Sequence, residues 1–175
     1  MSEPRSEPRS EPRSEARPFS WGLTAFGAGV INFIINAPLG WFLVREGTRL
    51  GIWTVPGVGP DLVATAFGVA FGTALVVPGQ IRKQVERGQL LPPPLAERWR
   101  KLFAGWPRST AIRAFNLGVW GVLIFAPLPL LALYLLDLPP LDRVTVTLLK
   151  ASFSFIEGAL MTPVIAAAAT VPAKS

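Results

Sequence analysis

The chain has 175 residues, half of them apolar and only 16% charged, with a mean hydropathy of +0.42. It is too apolar for a soluble domain of its size and reads as one all-α integral membrane unit. It contains no cysteine and no histidine, so disulfides, thiol nucleophiles, the commonest general base and the commonest metal and haem ligands are excluded, and no enzyme, metal site or cofactor is expected.

The chain opens on SEPR three times, followed by SEAR. A proline at every fourth position forbids a continuous helix, and balanced Glu and Arg leave nothing to bury. Residues 1–18 are therefore expected to form a disordered, solvated tether. The apolar run that follows is too long for the hydrophobic region of a signal peptide and lacks a small-residue cleavage pattern, so it is expected to remain as a span.

Four transmembrane helices are expected, at about residues 20–44, 61–80, 110–136 and 144–170. At about 1.5 Å per residue each can cross a hydrocarbon core of about 30 Å. Each is apolar all round, whereas a soluble bundle would show a single apolar stripe. The loop between the second and third spans holds Arg82, Lys83, Arg87, Arg98, Arg100, Lys101 and Arg108, against Arg45 and Arg49 in the first loop and Arg143 in the last. The positive-inside rule puts that middle loop, and with it both termini, in the cytoplasm, most simply of a bacterial inner membrane. The net charge of +6 is then a topology signal. No nucleic-acid partner is expected, because no basic groove with interleaved aromatics is visible.

Residues 91–109 form a segment of their own. In LAERWRKLFAGW, Leu95, Trp99, Leu102, Phe103 and Trp106 recur at helical spacing while Glu97, Arg98, Arg100 and Lys101 take the other face. This predicts an interfacial helix with Trp99, Phe103 and Trp106 at headgroup depth and Arg98, Arg100 and Lys101 toward anionic lipid, turned parallel to the bilayer by LLPPPL. It would anchor the topology or, alternatively, dock a cytosolic partner.

The most specific pattern is an internal repeat. AFGAGVINFIINAPL (Ala25 to Leu39) aligns without gaps to AFNLGVWGVLIFAPL (Ala114 to Leu128), with eight identities in fifteen positions that include Gly29 with Gly118 and Pro38 with Pro127. The even spans match more weakly, Ala66 with Ala151 and TALVVP with GALMTP, ending at Pro78 and Pro163. The chain thus reads as two copies of a two-helix hairpin, residues 19–90 and 110–175, inserted the same way round and related by a pseudo-twofold axis along the membrane normal. The paired glycines are expected to allow close helix approach, and the paired prolines to kink each odd span.

Polar residues break the repeat. Asn32 and Asn36 stand where the second copy has Gly121 and Phe125, Lys150 stands opposite Thr65, and Glu157 opposite Gly72 or Phe71. Asn116 is a further intramembrane amide. Asn32 and Glu157 fall at roughly 16–18 Å from the cytoplasmic ends, and Asn36 and Lys150 at roughly 24–27 Å. The asparagines share one face, as do Lys150, Ser154 and Glu157, so a polar ladder between the first and fourth spans is expected. Lys150 is expected to snorkel outward, and Asp137 and Asp142 to solvate the last turn.

A carboxylate at mid-membrane costs about 2.5–3.5 kcal/mol on insertion scales and should face the bundle interior. Two functional classes follow. The first is a non-catalytic accessory, assembly or regulatory membrane protein in which Glu157 fixes helix register. The alternative is a small proton- or cation-coupled secondary transporter with Glu157 as coupling carboxylate, Asn32 and Asn36 along the path, and a small cationic substrate. Four spans with one membrane glutamate resemble the small multidrug-resistance transporters. That family's glutamate lies in the first span and none of its motifs is present, so its function is not carried over. A homodimer or larger membrane complex is compatible with either class.

Overall fold

The computed structural model describes residues 16–107 and 109–171. The tail expected over residues 1–18 therefore lies outside the described residues as far as residue 15, as does Arg108. Arg17 itself is held: its N–H donates to the Gln89 carbonyl (3.0 Å) and its carbonyl accepts from the Leu91 N–H (2.9 Å).

The described residues form α1 (Trp21–Leu43), α2 (Val58–Glu86), α3 (Glu97–Ala104), α4 (Thr110–Phe125), α5 (Pro127–Leu135) and α6 (Arg143–Ala169). Two isolated backbone bridges are the extended pairing among them. Four helical stretches are long and apolar enough to cross a membrane: α1, α2, α4 together with α5, and α6. The second extends beyond the expected 61–80 at both ends.

Local chemistry sets the helix ends. Ser20 and Ser109 cap α1 and α4 by accepting from the N–H of Leu23 (3.3 Å) and Ile112 (3.4 Å), which satisfies donors that have no partner within the helix. The two odd spans differ at their prolines. Helix α1 runs unbroken through Pro38, whereas the third span divides at Ala126 into α4 and α5. Pro129 follows Pro127 at one remove, so two carbonyls lose their donors where α1 loses one.

Packing crosses between the two halves of the chain. Helix α1 lies along α6, α4 lies along α2, and α2 and α6 meet in the middle, while α1 and α2 scarcely touch. Glycines set two of these approaches. A Cβ on Gly29 would come within 2.8 Å of the Phe155 ring, and one on Gly118 within 2.7 Å of the Phe67 ring. The same two rings take further edge contacts, Phe26 with Phe155 (6.2 Å, 78°) and Phe115 with Phe67 (5.8 Å, 69°). Aromatic edge-to-face pairs of this kind add about 0.5–1.5 kcal/mol beyond area burial.

The two inter-helix turns, α1–α2 and α5–α6, gather at one end. There Leu50 and Leu141 exchange backbone hydrogen bonds (2.8 and 2.9 Å), and Val44, Leu50, Ile52, Val58, Leu62, Leu133, Leu141 and Val146 form one apolar cluster. Arg143 donates to the Trp41 carbonyl (2.8 Å) and lies 4.1 Å over the Trp41 ring, tying the end of α1 to the start of α6. A second cluster, Ala70, Ala74, Ala114, Met161 and Ile165, lies nearer the opposite end.

Candidate functional site

Glu157 sits in the middle of α6 with 0% of its surface exposed. Neither carboxyl oxygen has a hydrogen-bond partner among the described residues. Its side chain faces α4, where Gly121 makes the room: a Cβ there would lie 3.0 Å from Glu157 Oε1, 2.8 Å from the Ala66 carbonyl and 2.7 Å from Ala70 Cβ. Gly121 is the position aligned with Asn32. The second half thus carries no side chain where a glutamate must be housed.

The expected ladder between Asn32, Asn36 and Glu157 is not formed. Asn32 donates its amide to the Ala28 carbonyl (2.9 Å) and Asn36 to the Asn32 carbonyl (3.0 Å), both within α1. Asn32 rests against Gly158, the residue after Glu157, in the space that a Cβ would need. One residue along a helix is a rotation of about 100°, so Glu157 turns away toward α2 and α4. The polar link from the middle of α6 to α1 is Ser154, whose hydroxyl is shared between the Asn32 carbonyl (3.1 Å) and its own Ala151 carbonyl (2.9 Å).

Lys150 does not snorkel outward. It is 7% exposed, and its ammonium donates to Asp61 Oδ1 (2.6 Å) and Thr65 Oγ1 (2.8 Å). The ion pair joins the first turn of α2 to the first third of α6. Nothing in the sequence reading marks Asp61 as this partner. The available signal is its spacing from Thr65: the two stand at i and i+4, so both face the same neighbour.

Asn36, Thr65 and Ser154 are buried, whereas Asn116 is exposed on α4, away from the polar groups above. Asp142 caps α6, its carboxylate accepting from the Thr145 N–H and hydroxyl at 3.0 Å each. These bonds, the backbone one first, hold its pKa below the usual carboxylate value.

A cleft of about 800 Å³ opens between α1 and α2, with α6 as its floor. Asn32, Asn36, Thr65, Thr73, Lys150 and Thr162 are among its lining residues and Glu157 is not. Glu157 shares its helix face with Lys150 but is fully buried beneath the lining and does not itself reach the cleft.

On α3, Phe103 is buried between Trp99 (6.0 Å, stacked) and Trp106 (5.1 Å, edge-on). Trp99 and Leu102 are the exposed apolar groups, and Arg98 lies 5.8 Å over the Trp99 ring. Arg100 and Lys101 are exposed. The apolar face is therefore narrower than five recurring positions suggest, because Phe103 is used inside its own aromatic cluster. Among the described residues no group of three or more acidic, cysteine or histidine side chains could hold a metal ion. No protein-family model, no curated protein and no solved structure matches this chain.

Proposed function

We propose that the chain is a non-catalytic accessory, assembly or regulatory membrane protein, built as two repeated halves around a pseudo-twofold axis, with Glu157 as an internal structural group. The enclosure of Glu157 carries this reading. A coupling carboxylate needs a route by which ions and water reach it, and Glu157 is fully buried and absent from the lining of the large cleft. Gly121 on α4 accommodates the carboxyl, which supports a role for Glu157 as a register key among α2, α4 and α6.

The repeat is supported by pairs of contacts. Gly29 with Phe155 corresponds to Gly118 with Phe67, Phe26 with Phe155 to Phe115 with Phe67, and Asn32 with Gly158 to Gly121 with Ala70. The capping serines Ser20 and Ser109 fall on the same alignment. These contacts equate Phe67 with Phe155, three residues out of register with the sequence alignment of Pro78 and Pro163. Three residues is close to one helical turn, so the same faces meet in either register.

Among the described residues, Arg82, Lys83, Arg87, Arg98, Arg100 and Lys101 belong to the end opposite the two inter-helix turns, consistent with a cytoplasmic placement of that end and of both termini. Helix α3 lies in the membrane plane on this reading, with Trp99 and Leu102 dipping toward the acyl chains and Arg98, Arg100 and Lys101 meeting anionic headgroups.

Reconstitution into proton-tight vesicles tests the central assignment. Under a pH gradient, the wild type and Glu157→Gln are expected to show no proton-linked flux of a cationic dye above empty vesicles, and to unfold at similar temperatures. Wild-type flux that Glu157→Gln abolishes would overturn the reading in favour of the transporter alternative, for which the partnerless state of Glu157 speaks.

A further inference from the structure

The cleft between α1 and α2 has no part in the role assigned to Glu157. Its glycines differ from those that serve packing elsewhere in the bundle. Gly29, Gly118, Gly121 and Gly158 each stand where a Cβ would strike a neighbouring helix. Gly27, Gly68 and Gly72, which line the cleft on both walls, would meet nothing within 4 Å. No contact inside the protein requires these three to be small. Their effect is to keep space open at mid-membrane between two helices that scarcely touch.

Two asparagines present acceptors to that space. The Ala28 and Asn32 carbonyls can only accept, so the Asn32 and Asn36 side chains must present nitrogen to the helix, and their Oδ1 atoms have no donor among the described residues. Thr162, 6% exposed at the floor, has a hydroxyl oxygen with no partner among them either. Lys150 is already occupied by Asp61 and Thr65. No carboxylate lines the cleft to hold a cation. What remains is a set of neutral amides and hydroxyls, among which the Asn32 and Asn36 oxygens can only accept, beside an apolar wall that includes Ile35, Leu39, Val69 and Val76, within a volume in the range of small-molecule sites.

We infer that the cleft is a binding site for an uncharged, lipid-soluble molecule that enters from the bilayer and donates a hydrogen bond, through a hydroxyl head, to the side-chain oxygen of Asn36, the more buried of the two asparagines. An ordinary acyl chain fills the same space but leaves this acceptor unpaired, and an unpaired acceptor is costly in hydrocarbon. The hydroxyl is therefore the selected feature. The site stands whether Glu157 is structural or not, since Glu157 does not line it.

A long-chain alcohol carrying a photoreactive diazirine and its methyl ether, each in vesicles holding the full chain, provide the test. The alcohol is expected to label the segments around Asn32–Asn36 and Gly68–Gly72 about five- to tenfold more than the ether, the effect of one hydrogen bond, and unlabelled alcohol is expected to compete. Gly68→Leu with Gly72→Leu should remove the labelling. Should that pair fail to fold, Asn36→Leu keeps the cavity and should bring alcohol and ether to equal labelling. Equal labelling by alcohol and ether in the wild type, or labelling that survives plugging of the cleft in a folded variant, would overturn the proposal and leave bulk lipid as the occupant.

Discussion

The Lys150–Asp61 pair offers a quantitative test of how the two halves are joined. Its partners are 8% and 17% exposed, 2.6 Å apart, with Thr65 as a further acceptor for the ammonium. Removing one partner of a buried pair leaves an uncompensated charge and costs about 3–5 kcal/mol, whereas replacing both with apolar groups is often neutral. The lysine is the more enclosed group, so Asp61→Leu should destabilise by the upper part of that range. Lys150→Met, which strands the partly solvated aspartate, should cost about 3 kcal/mol. The double variant should fall within about 1 kcal/mol of wild type, so the cycle carries a large coupling energy. Equilibrium unfolding of the reconstituted protein, followed by far-UV circular dichroism, measures all four corners. If the two single effects add to within about 0.5 kcal/mol, the pair is not coupled, and the burial-based reasoning fails.

Other outcomes follow from individual contacts. Gly121→Ala should destabilise by about 1–3 kcal/mol because its Cβ strikes the Ala66 backbone and Ala70, while Gly27→Ala, which meets nothing, should be neutral or stabilise by up to about 1 kcal/mol through helix propensity; thermal unfolding distinguishes them. The depressed carboxylate of Asp142 stabilises the start of α6 at pH values above its unfolded range, and this contribution should be lost as pH falls through the lower folded value; hydrogen exchange of the Thr145 amide reports it, and Asp142→Asn should flatten the response. Brominated lipids should quench Trp99 more strongly in anionic than in zwitterionic vesicles, measured as the difference from Trp99→Phe; equal quenching in both would remove the lipid-binding assignment of α3.

The spans were legible because uncharged apolar runs of membrane length rarely occur outside a bilayer, whereas the serine and aspartate caps at their ends, Asp142 among them, emerge only from the structure. The sequence match of the odd spans rests on Gly29, Pro38 and their counterparts, and it is the basis of the repeat proposed above. The partner of Lys150 was not legible: Asp61 lies far away in the chain, at the margin of a span, and only the meeting of α2 with α6 brings the two together. The facing of Glu157 was missed for a geometric reason. Asn32 does meet α6, but at Gly158, and one residue of rotation carries the carboxyl from α1 to α4. Depth along a helix can be counted from sequence, whereas its rotation is set by neighbours such as Gly121 and Ala70.

The crossed packing of the halves bears on how the protein is made. Helix α1 leaves the ribosome first, yet the helix it lies along is the last to appear. At ordinary synthesis rates that interval is on the order of ten seconds. Throughout it, Asn32, Asn36 and the Phe155-shaped notch at Gly29 face lipid or the insertion machinery, without a native partner. Truncation anywhere before α6 therefore leaves the first span orphaned in the bilayer, and quality control that recognises exposed intramembrane amides would see every incomplete chain.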